Sequence, residues 1–154
     1  MKPLLLGMNN PLSDDPEYDI YPYPEGSTGW RLWKMLPEGT TRAQYLDMFD
    51  RRNLLRAREW HSAEARRAAE LLLPDLAGRA VVVLGTQVRA ALDLPQTEPL
   101  VWRRCLPYEF NWIAVPHPSG RNCWYNEPGR RDQVGAMLRA LAEGVVNPPA
   151  GGGA

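Results

Sequence analysis

The stretch Asn111-Trp-Ile-Ala-Val-Pro-His-Pro-Ser-Gly-Arg-Asn122 joins a short apolar run to an abrupt stop. Its first part, 111–115, predicts a buried strand, and the prolines and glycine that follow end that strand. In open α/β sheets, ligands bind at the carboxyl ends of the strands. Because His117 lies between two prolines, its backbone has little freedom. We therefore predict that residues 116–122 form a stiff loop that holds a catalytic imidazole and binds a polyanion.

Strands and helices alternate along the rest of the chain. Apolar runs predict strands at 4–8 and 80–84, and 51–55 is predicted to be a second strand or an extended segment. Helical patterns lie between them, at 28–36, at 42–49 with Thr41 as N-cap, at 62–73 capped by Ser62 and stopped by Pro74, at 87–92, and at 132–142. Residues 12–27 are predicted to form an ordered loop, and residues 93–110 a loop or hairpin region.

This alternation implies a parallel sheet covered by helices on both faces. We predict an α/β fold, a three-layer α/β/α sandwich with a four-stranded parallel sheet. The 154 residues suffice for one domain with a core, which we place at 1–146. Residues 147–154 are predicted to be a disordered tail, because they are rich in Pro and Gly.

Composition limits the possible functions. The formal net charge is zero, which argues against a general basic nucleic-acid binder. Nevertheless, the cations are nearly all arginine, since Lys2 and Lys34 are the only lysines. Arginine suits bidentate phosphate contacts, although a GC-rich genome also enriches it.

The cysteines are too few for a metal site, and the hydropathy pattern predicts a cytoplasmic protein. Cys105 and Cys123 form no CxxC pair, and zinc or iron–sulfur sites normally need three or four such ligands. No apolar run approaches the roughly 20 residues that span a bilayer, and the amino terminus does not resemble a signal peptide. We expect a cytoplasmic monomer that has no membrane partner and needs no metal or other cofactor.

Polar residues end the predicted strands in three places: Gly7-Met-Asn-Asn-Pro11, Asn53, and His117-Pro-Ser-Gly-Arg-Asn122. With the helix start Gly26-Ser-Thr-Gly-Trp-Arg-Leu32 and the strand Val81-Val-Val-Leu-Gly85, this order resembles the uracil-DNA glycosylase superfamily. The first and last motifs are closest to its single-strand-selective monofunctional branch, whereas the other two are more similar to its iron–sulfur branches. The chain lacks the four cluster cysteines of those branches. The resemblance covers roughly residues 3–143 and implies the strand order 2-1-3-4.

The resemblance implies catalytic roles for His117 and Asn9. Cleavage of an N-glycosidic bond builds positive charge on the sugar and negative charge on the departing base. A neutral imidazole N–H aimed at a base carbonyl would stabilise that transition state. Asn9 matches the asparagine that orients the attacking water, although it could also be a turn asparagine that bonds its own backbone. Asn10-Pro11 replaces the family's Pro-Gly at this point.

The resemblance also implies a pocket for a flipped base. Asn53 matches the asparagine whose amide reads the Watson–Crick edge, and its alternative is an ordinary amide at a strand end. Tyr23, or else Tyr21, is the aromatic floor on which the base would stack, and either ring could instead pack the proline-rich loop. Met8, beside Asn9, completes the base-binding set.

Two segments are expected to contact the DNA backbone. The family's Pro-Ser loop corresponds to Ser119, Gly120, Arg121 and Asn122. Ser27 and Thr28, at a helix N-terminus, would form a second phosphate seat, with a plain helix cap as the alternative.

The resemblance therefore implies a monofunctional DNA glycosylase, which flips uracil or a related modified pyrimidine out of DNA and leaves an abasic site. Its partner would be single- or double-stranded DNA, in base excision repair. Neither lysine lies in these motifs, so no Schiff base is expected. The alternatives are a binding module of the same fold that has lost hydrolysis, and an enzyme for another base, such as a hypermodified phage pyrimidine or a free nucleoside.

Overall fold

The computed structural model describes residues 1–144 and contains a five-stranded sheet with helices on both faces. The strands are β1 (Leu4–Gly7), β2 (Asp50–Asn53), β3 (Ala80–Leu84), β4 (Trp102–Cys105) and β5 (Phe110–Val115). The helices are α1 (Thr28–Met35), α2 (Arg42–Met48), α3 (Ser62–Leu72), α4 (Thr86–Ala91) and α5 (Arg130–Ala142). Short 3-10 helices lie at Pro16–Tyr18, Leu73–Leu76 and Cys123–Asn126. The predicted tail at 147–154 lies outside the described residues.

The strand order is β2-β1-β3-β5-β4, and the first four strands are parallel. This confirms the predicted α/β class, but the prediction of four strands in an all-parallel sheet is wrong. The additional strand, β4, pairs with β5 in an antiparallel hairpin, with Trp102 opposite Ile113 and Cys105 opposite Phe110. Because β4 lies at the edge of the sheet, the order of the four parallel strands is still the predicted 2-1-3-4, with β5 as the predicted fourth strand. All four of its residues are half-buried, and its two arginines hide the strand pattern in the sequence.

Alternating strand residues build a separate core on each face of the sheet. Leu4, Leu6, Val81, Val83 and Trp112 pack against α3 and α4. Leu5, Val82, Leu84, Ile113 and Val115 pack against α1, α2 and α5. Both faces of the central strands are therefore apolar, which explains their continuous hydrophobic runs.

Local sequence explains most of the helix boundaries. Thr41 and Gln44 form a reciprocal capping box at the start of α2, as the predicted N-cap requires. Ser62 is the first residue of α3 and not its N-cap; the cap position is His61, which makes no side-chain cap bond. Pro74 does not end α3 directly, because the chain continues into the 3-10 helix at Leu73–Leu76.

Other boundaries shift by one or two residues. β2 ends at Asn53 instead of Leu55, and α4 covers 86–91 instead of 87–92. α5 begins at Arg130 instead of Asp132. Within residues 1–144, no helix is long and apolar enough to cross a membrane.

Candidate functional site

A cavity of about 530 Å³ lies at the carboxyl edge of the parallel strands. This edge carries the polar residues that follow β1, β2 and β5, as the sequence predicted. Eight of the predicted site residues line the cavity: Met8, Asn9, Tyr23, Ser27, Thr28, Asn53, His117 and Ser119. Gly120, Arg121 and Asn122 do not line it. None of the described residues that line the cavity is charged.

Asn9 presents an acceptor to the cavity. Its Nδ2 donates to the carbonyl oxygens of Ala57 and Arg58, at 3.2 and 2.8 Å. These bonds cross to a distant loop, so Asn9 is not a turn residue that bonds only its own backbone. Because both amide hydrogens are engaged, Oδ1 is the atom left for a ligand or a water. That oxygen can orient a water by accepting one of its hydrogens.

Asn10, and not Asn9, is the turn asparagine that bonds the backbone of its own loop. Its Oδ1 accepts from the backbone N–H of Leu12 at 2.9 Å, and its Nδ2 donates to the carbonyl of Tyr18 at 3.2 Å. Asn10 therefore fixes the start of the loop that follows β1. Asp14 and Asp15, in the same loop, are exposed and lie outside the cavity lining, and Asp15 caps the short helix at Pro16–Tyr18.

Asn53 is held by a buried carboxylate that the sequence analysis missed. Asp19 accepts from the Asn53 backbone N–H at 2.9 Å and from its Nδ2 at 3.3 Å. The Asp19 carboxylate is in turn bound by both terminal nitrogens of Arg56, one of them at 2.6 Å. The hydrogen bond to Asp19 raises the pKa of Arg56. Nothing in the sequence indicated this burial, because Asp19 is one of five acidic residues in a Pro- and Tyr-rich loop.

The Asn53 amide oxygen lies over the end of β1. A Cβ atom built on Gly7 would come within 2.6 Å of Asn53 Oδ1. Gly7 therefore leaves space for this oxygen, and both residues line the cavity. Asn53 accordingly presents Oδ1 and one remaining N–H to a ligand.

His117 is half-buried at the cavity wall. Its ring packs against Gly85, where a built Cβ would lie 3.2 Å from His117 Cβ and 3.5 Å from Cδ2. Neither ring nitrogen has a hydrogen-bond partner among residues 1–144. Burial lowers the pKa of His117 from its ordinary 6.5, so the ring is neutral at neutral pH and carries one N–H donor.

Hydrogen bonds between side chains and the backbone fix the loop that carries His117. Asn122 Nδ2 donates to the His117 carbonyl at 3.0 Å, and Asn122 Oδ1 accepts from the Trp124 N–H. The hydroxyl of Tyr125 donates to the Pro116 carbonyl at 2.6 Å. Asn122 thus supports the loop in this structure, whereas Arg121 is exposed. Trp124 packs against the ring of Tyr125 and against Arg130.

Three tyrosines of the proline-rich loop line the cavity, Tyr18, Tyr21 and Tyr23, and the last two differ in how firmly they are held. Tyr23 is 65% exposed and lies 6.0 Å from the Arg42 guanidinium. Tyr21 is half-buried, with an edge contact to Tyr18 at 5.3 Å and Arg51 over its ring at 5.6 Å. An immobilised ring loses less entropy when a base stacks on it, so Tyr21 is better suited than Tyr23 to be the floor.

The helix start at α1 contains a further cation. Ser27 caps α1 by accepting from the Trp30 N–H at 3.2 Å, and its hydroxyl donates to the Tyr21 carbonyl. Arg31, one turn further on, donates through Nε to the Gly26 carbonyl at 3.1 Å. Its Nη2 lies 3.1 Å from a Cβ built on Gly120. Arg31 therefore connects the two segments predicted to contact phosphate, and the sequence analysis did not single it out.

The described residues offer no evident site for a metal ion. Within 1–144, no group of three or more His, Cys, Asp or Glu side chains lies close enough together to hold one. Cys105 is half-buried on β4, and Cys123 is exposed beyond the His117 loop.

No family model matches this chain, and no curated protein matches its sequence. The function proposed below therefore rests on the geometry of the cavity and on the motif resemblance.

Proposed function

We propose that this protein is a monofunctional DNA glycosylase with a uracil-DNA glycosylase-like fold. It would flip uracil or a related modified pyrimidine out of DNA and hydrolyse its N-glycosidic bond, leaving an abasic site. One observation carries the proposal: Asn9, Asn53 and His117 line the same cavity, each with a free polar atom of the type that this reaction needs. The order of the parallel strands and the resemblance of the motifs support the same conclusion.

Each of these unbonded polar atoms would have a separate role in the reaction. Asn9 Oδ1 accepts from a water and aims its oxygen at the sugar carbon. The neutral His117 ring donates to a carbonyl oxygen of the base as negative charge develops there. Asn53 accepts from the imide N–H of the base and donates to the adjacent carbonyl. The base stacks on Tyr21, with Tyr23 at the mouth of the cavity.

The DNA backbone would follow the rim of the cavity. Ser119, on the loop after β5, lines the cavity, as do Ser27 and Thr28 at the start of α1. Arg31 bonds to Gly26 and lies beside Gly120, and its guanidinium can contact a phosphate on this path. Arg121 is exposed on the same loop and free to reach DNA.

The direct test compares His117→Ala with wild type on uracil-containing oligonucleotides, single- and double-stranded. We expect a loss of at least about 100-fold in the rate of abasic-site formation, as for removal of one oxyanion donor. His61→Ala is the matched control, because His61 is the other histidine, is exposed and does not line the cavity. Equal activity of His117→Ala and wild type would contradict the assignment. A panel of modified pyrimidines and free nucleosides, run in parallel, identifies the base.

A second candidate is a binding module that holds a flipped base without hydrolysing it. The residues that line the cavity favour this binding module, because among the described ones there is no carboxylate that could act as a base toward water. In addition, Asn10 replaces the proline of the family motif, and its amide bonds to the backbone of its own loop. Tight binding of uracil-containing DNA by wild type without abasic product would establish this candidate and reject the enzyme.

A further inference from the structure

We propose that Asp19 determines base specificity by fixing the orientation of the Asn53 amide, so that the pocket accepts uracil-like bases and rejects cytosine. This inference rests on the proposed function. Asp19 is a positioning residue, since it does not line the cavity and acts only through Asn53.

Asp19 and Asn53 are the two buried polar residues in the described part of the chain, with 1% and 4% of their surfaces exposed. Their contact is bidentate: one carboxylate oxygen accepts a hydrogen bond from the backbone N–H of Asn53, and the other accepts one from its Nδ2. Arg56 also binds both carboxylate oxygens and compensates the buried charge. The carboxylate is therefore held by Arg56 as well as by Asn53 and cannot turn to suit Asn53.

A carboxylate constrains an amide in a way that an amide or a hydroxyl does not. An ionised carboxylate only accepts hydrogen bonds. If the Asn53 amide rotated by half a turn, its oxygen would face a carboxylate oxygen at the distance now occupied by Nδ2, 3.3 Å. Two acceptors would then meet in a buried site without a hydrogen between them. Asp19 therefore admits only the orientation in which Nδ2 faces the carboxylate and Oδ1 lies over Gly7.

The fixed orientation determines which pyrimidine the amide can read. Uracil offers an imide N–H beside a carbonyl oxygen, so it matches an acceptor beside a donor. Cytosine offers a bare ring nitrogen beside an amino group, which is the reverse pattern. A free asparagine could read either base by rotating. With Asp19 in place, cytosine would leave an acceptor facing an acceptor and a donor facing a donor.

The test compares Asp19→Asn with wild type on matched oligonucleotides that contain one uracil or one cytosine. The substituted amide has nearly the shape of the carboxylate but can also donate, so Asn53 can adopt both orientations. We expect the ratio of uracil to cytosine excision to fall by about tenfold or more. Asp14→Asn is the control: it makes the same chemical change in the same loop at an exposed carboxylate that does not line the cavity, so the ratio should stay at the wild-type value.

A second measurement does not depend on activity. In the wild-type protein, one Nδ2 hydrogen of Asn53 is bonded to a buried carboxylate, so it should exchange with solvent more slowly than the side-chain amide hydrogens of exposed Gln44 in the same NMR spectrum. Equal exchange would overturn the inference, even if Asp19→Asn fails to fold. An unchanged excision ratio in a folded Asp19→Asn protein would also overturn it. A wild type that neither binds nor cleaves uracil-containing DNA would instead reject the proposed function, and slow exchange would still establish the fixed amide.

Discussion

Gly85→Ala tests how the His117 loop is supported by β3. Gly85 follows the last residue of β3 with φ +92° and ψ 163°. Residues other than glycine rarely adopt these φ and ψ values, and forcing one to do so costs about 1–3 kcal/mol. For a domain of this size, that cost corresponds to a fall in melting temperature of roughly 2–12 °C.

The same substitution should displace the histidine. The new Cβ would lie 3.2 Å from His117 Cβ and 3.5 Å from Cδ2, so the loop must move by a few tenths of an ångström. Catalytic groups tolerate little displacement, since a shift of about 1 Å can cost about 100-fold in rate. We therefore expect Gly85→Ala to lose activity at a temperature where it is still folded.

Gly78→Ala separates the two effects. Gly78 also has a positive φ, +76°, but a Cβ built there meets nothing within 4 Å. This control should lower the melting temperature and leave the rate per folded molecule unchanged. Thermal unfolding and uracil excision are measured for both variants. A Gly85→Ala protein with the wild-type melting temperature would refute the strain argument, and one with full activity would refute the contact with His117.

Three further predictions address the core, the pH dependence and the DNA path. Gly135→Ala should cost at least about 1–3 kcal/mol of unfolding free energy in denaturant titrations, because its Cβ would lie 1.8 Å from the Met35 carbonyl oxygen and force α5 away from α1. Above pH 6.5, His117 is neutral in both the folded and the unfolded chain. Below pH 6.5, the unfolded chain binds a proton at this histidine, whereas burial keeps the folded chain from doing so. The free energy of unfolding should therefore fall as the pH drops through 6.5, and it should fall less in His117→Asn. Arg31→Ala should weaken binding to all sequences alike and reduce the slope of log affinity against log salt by about one, measured by fluorescence anisotropy.

The sequence predicted the elements that place the site, because these depend on local patterns. The runs at 4–8, 80–84 and 111–115 are apolar on both faces of the sheet, which is the property that makes a central parallel strand recognisable. Their polar ends then had to meet at one edge. β4 was missed as a strand because it lies at the edge, where Arg103 and Arg104 are tolerated and no continuous apolar run is needed.

The orientations of the site residues could not be predicted, since they depend on partners that are distant in the chain. Asn9 is turned by carbonyls 48 and 49 residues away, and Asn53 by a carboxylate 34 residues away. No local pattern connects such pairs. Adjacent asparagines in the sequence, Asn9 and Asn10, consequently look equivalent, although the amide of Asn9 bonds to a distant loop and the amide of Asn10 bonds to its own loop.

The two amide orientations together define what the pocket can select. Asn9 and Asn53 both direct nitrogen toward protein acceptors, so both leave an oxygen for the ligand. Under the proposed function, a base would be recognised through its donor, and a water would be held through its hydrogen with its oxygen lone pairs free to attack. The neutral His117, on the loop after β5, would supply the complementary donor. Because Asp19 and the 57–58 loop impose the acceptor character, substitutions there should change the chemistry of the pocket as much as substitutions in the motifs that line it.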